Sequence, residues 1–269
     1  MPVINTNTSA AYAQDALKVN SKVMSTAMQQ LATGNRINQA RDDAAGLSIS
    51  MNMTSQVRGL NQAVRNVNDG INLLQTADGG LVETSNMLQR MRELAVQSSN
   101  GTNSTSQRVY LNNEFLSLTT EINRIASGTT WNNANLYGTA LMFQAGINSG
   151  NLISISMGFM DAVTIGISTT ANVSTFTGAQ LAITSLDSAI DIVNSARSNM
   201  GATMNQLSYS SDNLANISTN IGASRSAIMD TEYATASATL SKSQIVQQAA
   251  TAMLAQANQQ PQSVLSLIK

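Results

Sequence analysis

The sequence contains no cysteine and no histidine. That removes disulfides, thiolate nucleophiles, zinc and iron-sulfur cages, and the one side chain that ordinarily titrates near neutrality. Any catalysis would rest on carboxylate, Lys, Ser or Tyr groups alone. A cysteine-free chain is compatible with an extracellular life, although nothing here requires one. Proline occurs only at Pro2 and Pro261, so nearly the whole chain lacks the residue that most strongly interrupts helices. Aromatics make up 4% of the 269 residues, thin for a globular core, and charged residues only 11%. The net charge is −1, with no run of five like charges, so there is no basic surface for nucleic acid. Nowhere do eighteen apolar residues run together, so no membrane span is expected. The opening "MPVINTNTSA" has neither a basic leader nor an apolar core region, and an ordinary cleaved secretion signal is not expected.

What is present is helical periodicity. A first helix is predicted over about Thr8 to Thr33, with Leu17, Met24 and Leu31 one heptad apart, Ala27 and Met28 between them, and Gly34-Asn35 as a left-handed stop. A much longer array follows: Met53, Leu60, Val67, Leu74, Leu81, Leu88 and Ala95. Val57, Val64 and Ile71 complete an a/d seam in its first half. Asp78, Ser85 and Arg92 replace them in the second half, where Met87, Met91 and Leu94 mark a second face. Unbroken from Ala44 to Ser99, this helix would be roughly 80 Å long at 1.5 Å per residue.

A third helix opens with the capping box Ser104–Gln107, carries Leu111, Phe115, Leu118, Ile122 and Ile125, and ends at Ser127-Gly128. Between about 129 and 177 the character changes to short β-like pieces, Leu152 to Met157 and the alternating Val163, Ile165 and Ile167, with "GINSGN" as a hairpin connection. A second capping box, Thr177–Gln180, then starts another heptad array: Leu186, Val193, Met200, Leu207, Leu214, Ile221 and Ile228. The last helix is expected from about Thr231 to Gln259, with Leu240, Val246, Met253 and Leu254, stopped near Pro261 before an apolar "SVLSLIK" tail. Two long arrays with narrow seams most simply pack on each other, bringing the two ends of the chain together.

The adjacent carboxylates Asp42 and Asp43 could be an acid/base pair, but they immediately precede a helix start. There an Asp caps free N–H groups and complements the helix dipole, whereas a catalytic pair needs a setting that splits the two pKa values. Capping is the better reading. The fourteen methionines mostly fall on seam positions and read as core filling. "GINSGN" and "ADGG" lack the spacing of a phosphate loop. "LQRMRELAVQ", residues 88–97, puts Gln89, Arg90, Arg92, Glu93 and Gln97 on a helix surface with Leu94 among them; composition leaves a solvated face and a protein contact equally open. The terminal stripes are too apolar to stay exposed, and their burial is expected to come from other copies of the chain.

Several long blocks carry a resemblance. "RINQARDDAAGLSIS", "NVNDGINLLQTADGGL", "LQRMRELAVQSSNGTN", "EINRIA" and "DTEYATASATLSKSQIVQQAATAMLAQANQQPQSVLSLI" resemble, in order, the terminal signatures of the bacterial flagellin family. The likeness covers about residues 1–128 and 180–269, with only about fifty residues in place of a large variable middle, so the chain looks like a minimal flagellin.

The resemblance implies a mainly α fold: a long antiparallel helical bundle or coiled coil with paired terminal helices and a small β-hairpin insert. It places residues 1–43 and 231–269 in an inner-tube domain with connector, and 44–230, with the insert at 129–177, in an outer-tube domain. Inner-tube packing falls to Leu17, Met24, Leu31, Leu254, Val264, Leu265 and Leu267. Arg41, Asp42 and Asp43 form the connector.

The implied function is an extracellular structural subunit of a helical filament for swimming, without cofactor or metal and not an enzyme. It would be exported unfolded through the flagellar type III channel and folded under a cap. Implied partners are other copies of itself, the flagellar export chaperone, the filament cap and hook-associated proteins, and no nucleic acid or membrane. In hosts, Toll-like receptor 5 is the implied partner of the monomer, through Gln89, Arg90, Leu94, Gln97 and Glu114. Met91 stands where Val or Ile is usual. A hook-filament junction protein is the alternative; the intact "LQRMRELAVQ" and "VLSLI" blocks argue against it.

Overall fold

The computed structural model describes the backbone of residues 6–167 and 172–268, and side chains as far as residue 259. The chain is mainly helical, in the order α1 (Thr8–Thr33), α2 (Ala44–Ser98), α3 (Thr105–Gly128), four short strands, α4 (Phe176–Met229) and α5 (Tyr233–Ile268). It divides into two compact units: residues 1–55 with 220–269, and residues 56–219. The divisions fall inside α2 and α4. The boundaries expected at 43/44 and 230/231 lie at the start of α2 and in the break between α4 and α5.

In the first unit α1 and α5 run antiparallel. Asn20 Nδ2 donates to Ser243 O at 2.7 Å and Asn7 Nδ2 to Ala257 O at 2.8 Å. Asn7 also caps α1, its Oδ1 accepting from Ala10 N at 3.0 Å, and Gly34 ends α1 with φ 73, the left-handed conformation glycine adopts without strain. α5 passes through Pro261 and reaches Ile268, so the proline does not stop the helix as the sequence predicts. Proline has no N–H for the carbonyl four residues earlier. That carbonyl belongs to Ala257, and Asn7 supplies the missing donor.

The connector 34–43 lies against the break between α4 and α5. Asn35 bridges Asp230, Thr231 N donates to Gly34 O at 2.9 Å, and Arg36 N donates to Met229 O at 2.6 Å. Arg36 Nη2 reaches Ile228 O at 2.6 Å, placing a cation on the last, otherwise unsatisfied carbonyls of α4.

The second unit packs α2, α3 and α4. Leu60, Val67, Leu74, Leu81, Leu88 and Ala95 of α2 are buried, as are Leu186, Val193, Met200, Leu207 and Leu214 of α4. Both heptad arrays thus face inward here. Two of the three non-apolar seam positions pair across the helices: Arg197 Nε to Asp78 Oδ1 at 2.8 Å and Arg92 Nε to Asp187 Oδ1 at 2.6 Å. α3 starts with the predicted capping box, Ser104 and Gln107 each satisfying the other's backbone, and buries Phe115, Ile122 and Ala126. α4 starts differently from its prediction. Thr175, not Thr177, is the cap, its Oγ1 accepting from Gly178 N at 3.1 Å.

The insert is two hairpins. β1 (Thr130–Trp131) and β2 (Ala134–Asn135) are joined by Asn132 and Asn133, both at positive φ (48 and 63), the geometry of the favoured two-residue hairpin turn. β3 (Ala140–Gln144) pairs antiparallel with β4 (Leu152–Ser156), Ala140 opposite Ser156 and Gln144 opposite Leu152, and the "GINSGN" connection lies between them as expected. The Val163–Ile167 alternation is not a strand. Those residues form a turn, with Ile165 N to Asp161 O at 3.1 Å and Ile167 N to Ala162 O at 2.8 Å, that buries Ile165 and Ile167 and leaves Val163 out.

The insert docks on α2 over three glycines. A Cβ on Gly59 or Gly70 would lie 2.9 Å from Ile147 or Phe143, and one on Gly80 would lie 2.5 Å from Tyr137 Oη. These positions recur at about three helical turns, so they share one face. Asn123 Oδ1 and Asn112 Oδ1 of α3, also three turns apart, accept Ala162 N at 2.9 Å and Val173 N at 3.0 Å.

Candidate interaction surfaces

No group of three or more metal-ligating side chains exists among the described residues, and no helix there is long and apolar enough to cross a membrane. The features left to explain are surfaces.

One is the α1–α5 pair. Its fully buried side chains among those described are small: Ala27, Ala236, Ser243 and Ala257. Leu17, Met24, Leu31 and Leu254 are half-buried. Meanwhile Tyr12, Val19, Val23, Met28, Ile245 and Met253 are exposed, Tyr12 at 78% and Met253 at 65%. Met28, expected to fill the seam beside Ala27, points out. Two helices bury only a narrow strip between them, and this pair leaves large apolar groups on its outside. The side chains of Val264, Leu265 and Leu267 lie outside the described ones, on the last turns of α5.

The connector carboxylates are structural. Asp43 caps α2, Oδ1 accepting from Gly46 N at 2.8 Å. Asp42 Oδ2 accepts from Asn38 N at 3.2 Å and Gln39 N at 3.0 Å, closing the turn behind it. Arg41 Nε stands 3.9 Å from Asp42 Oδ1, at the limit of an ion pair. Gly46 is held tight: a Cβ there would meet the Asp43 carboxylate and come within 2.8 Å of Ile37 Cδ1.

A second surface joins α2 to α3. Arg90 donates from Nε to Glu114 Oε1 at 3.0 Å and from Nη1 to Glu93 Oε2 at 2.9 Å. Those two carboxylates, Glu93 first, push the exposed guanidinium's pKa above its usual value. Gln89 and Gln97 are exposed on the same helix, and Gln89, Arg92, Glu93, Val96 and Gln97 line a shallow open depression. Leu94 is the exception to the predicted surface. It is fully buried, together with Leu88, Met91 and Ala95. The 88–97 helix has a second apolar face, and Leu94 belongs to the inside.

Asn7 and Arg36 were not singled out from the sequence. Arg36 caps the end of α4 from 192 residues away, and Asn7, besides its local cap, reaches a carbonyl inside α5 from 250 residues away; no local pattern announces such partners.

The family model for the bacterial flagellin N-terminal helical region matches residues 4–140, and that for the C-terminal helical region matches residues 183–268. A flagellin of Halalkalibacterium halodurans is 44% identical over 99% of this chain and 100% of its own length. Flagellin B of Vibrio cholerae is 34% identical over 98% and 99%. Among solved structures, Bacillus cereus flagellin aligns with a TM-score of 0.51 at 32% identity, covering 60% of this chain and 94% of that one. A putative flagellar hook-associated protein from Vibrio parahaemolyticus shares the fold at 14% identity, with a TM-score of 0.60 over 70% and 99%.

Proposed function

This chain belongs to the bacterial flagellin family, a family of structural filament subunits rather than enzymes, and on that premise we propose how its surfaces divide the work. The α1–α5 pair is the polymerisation element. Its outward Tyr12, Val19, Val23, Ile245 and Met253 carry the reading, because apolar groups of that size are stabilised by contact with further copies. Repeated head-to-tail contacts that do not close give an open helical filament. In this reading Leu17, Met24, Leu31 and Leu254 hold the pair together, Val264, Leu265 and Leu267 are the apolar residues that the end of α5 brings to the polymer, and Arg41, Asp42 and Asp43 shape the connector. Residues 1–43 and 231–269 then form the inner tube and 44–230 the outer one.

The filament is extracellular, and export would require the chaperone, the channel and the distal cap to handle the chain before it folds. Hook-associated proteins would meet the same terminal helices at the filament's ends.

Deleting residues 263–269 tests the assignment. The variant should keep its helical circular dichroism yet fail to form sedimentable filaments. Filaments of normal length would refute the role of the α5 end.

The Arg90 cluster supports a second contact, with Toll-like receptor 5 on the monomer. Gln89, Arg90, Gln97 and Glu114 offer exposed, oriented polar groups, and Leu94 supports them from beneath. Arg90→Ala and Glu114→Ala should right-shift the dose response of a receptor-reporter cell without changing the monomer's melting curve; an unshifted response would remove this surface from the contact.

A further inference from the structure

Just past the end of α2 the chain makes an exposed turn over Asn100, Gly101 and Thr102. Asn100-Gly101 is the one Asn-Gly step in the sequence, and its surroundings are arranged for a reaction between the two residues. The carbonyl oxygen of Asn100 receives two donors, Arg108 Nη2 at 3.1 Å and Asn103 N at 3.2 Å. That oxygen belongs to the same peptide group as Gly101 N. When the Gly101 nitrogen loses its proton, the charge spreads onto this oxygen, where a guanidinium and an amide already wait. Thr102 N donates to Asn100 Oδ1 at 3.2 Å, polarising the side-chain carbonyl as an electrophile. Among the described residues no acceptor takes the Gly101 N–H, and the space beside its Cα is open.

We propose that this turn is a self-modification site, at which Asn100 is converted to aspartate or isoaspartate with Arg108 as the residue that promotes it. Gly101 N gives its proton to water and bonds to Asn100 Cγ. Charge gathers on Oδ1, and the tetrahedral intermediate collapses by breaking the Cγ–Nδ2 bond. The amide nitrogen takes a proton from water and leaves as ammonia. The remaining five-membered imide is opened by water at either carbonyl, so the net change is one water consumed and one ammonia released. No other reactant is needed. The product carries a new carboxylate on the turn that Arg108 already holds, beside an Arg108 Nε that is buried without a partner among the described residues.

Asn103 is the internal control. Its Nδ2 donates to Gln97 O at 2.6 Å, it is followed by serine, and it lies on the same short fragment. Purified full-length monomer is incubated at mildly alkaline pH, and the fragment spanning residues 93–108 is followed by mass spectrometry for conversion of amide to acid. Asn100 should convert well ahead of Asn103. Arg108→Gln should slow Asn100 by roughly threefold to tenfold, the effect of one charge-assisted donor lost at a solvated site, with Arg108→Lys in between. In guanidinium chloride, wild type and Arg108→Gln should convert at one common rate. The proposal is overturned if the folded wild type and a normally helical Arg108→Gln convert equally, or if unfolding accelerates Asn100.

Discussion

Leu94 and Arg90 are four residues apart on α2, and their substitution should act through different physics. Leu94 is fully buried, so Leu94→Ala leaves a cavity and should cost about 2–5 kcal/mol, read as a lower denaturant midpoint of the isolated monomer. Arg90 is exposed between two carboxylates, and its removal should change stability by less than about 1 kcal/mol. Any loss of receptor signalling in Leu94→Ala should therefore follow the loss of folded protein, whereas in Arg90→Ala it should not. Tyr137 gives a pH handle. Its phenol is buried and donates to Ala77 O at 2.7 Å; burial, with the Asp78 charge, raises its pKa from 10.0 to about 12. The folded chain needs the neutral form, so this contribution is complete below pH 10 and disappears as the pH rises toward 12. Spectrophotometric titration at alkaline pH should show one late phenol that is absent in Tyr137→Phe. At this scale the sequence is readable where a residue acts on its own neighbours. Ser104 with Gln107 and Asp43 before Ala44 were legible because a cap needs only the next three residues. Thr177 was misread because Thr175 offers the same hydroxyl two residues earlier, and only the course of the incoming chain decides between them. The sequence puts Leu94 both on a second apolar face with Met87 and Met91 and among the polar groups of the 88–97 surface, and only the packing of the bundle decides for the buried face.

Among the elements, the heptad arrays of α2 and α4 were plain in the sequence, since a seven-residue repeat sustained over many turns has few other meanings. The break at Pro261 was not. A proline weakens a helix by about 3 kcal/mol but does not forbid it when the freed carbonyl finds another donor. Asn7 is that donor from the other end of the chain, 250 residues away. Asn7→Ala removes both the α1 cap and this bond, and hydrogen exchange should quicken in α5 from residue 258 onward as well as in the first turn of α1. If α5 exchange is unchanged, Asn7 does not support the helix past Pro261. The glycine ledge of α2 invites the opposite experiment. Gly70→Ala improves the helix by propensity yet pushes a methyl into the Phe143 ring. The expected result is faster exchange throughout β3 and β4, with α2 itself unaffected. Gly59, Gly70 and Gly80 look in sequence like weak points in a helix; as a docking face they become visible only once Ile147, Phe143 and Tyr137 are laid along them.

For the molecule as a whole, two units share the long helices, and among the described residues only the second buries a substantial core of large side chains. The first unit should therefore be the less stable one in dilute monomer, melting at lower temperature and exchanging amide hydrogens sooner, and polymerisation should raise its stability most. Equal protection of α1 and Leu74-centred α2 amides in the monomer would contradict this. The pairing of α1 with α5 has a further effect on timing. Contacts such as Asn20 with Ser243 span 223 residues, so closing them is slow and cannot begin until α5 is available. The paired surface therefore comes into being only when both ends of the chain are present, which makes it the last part of the molecule to form.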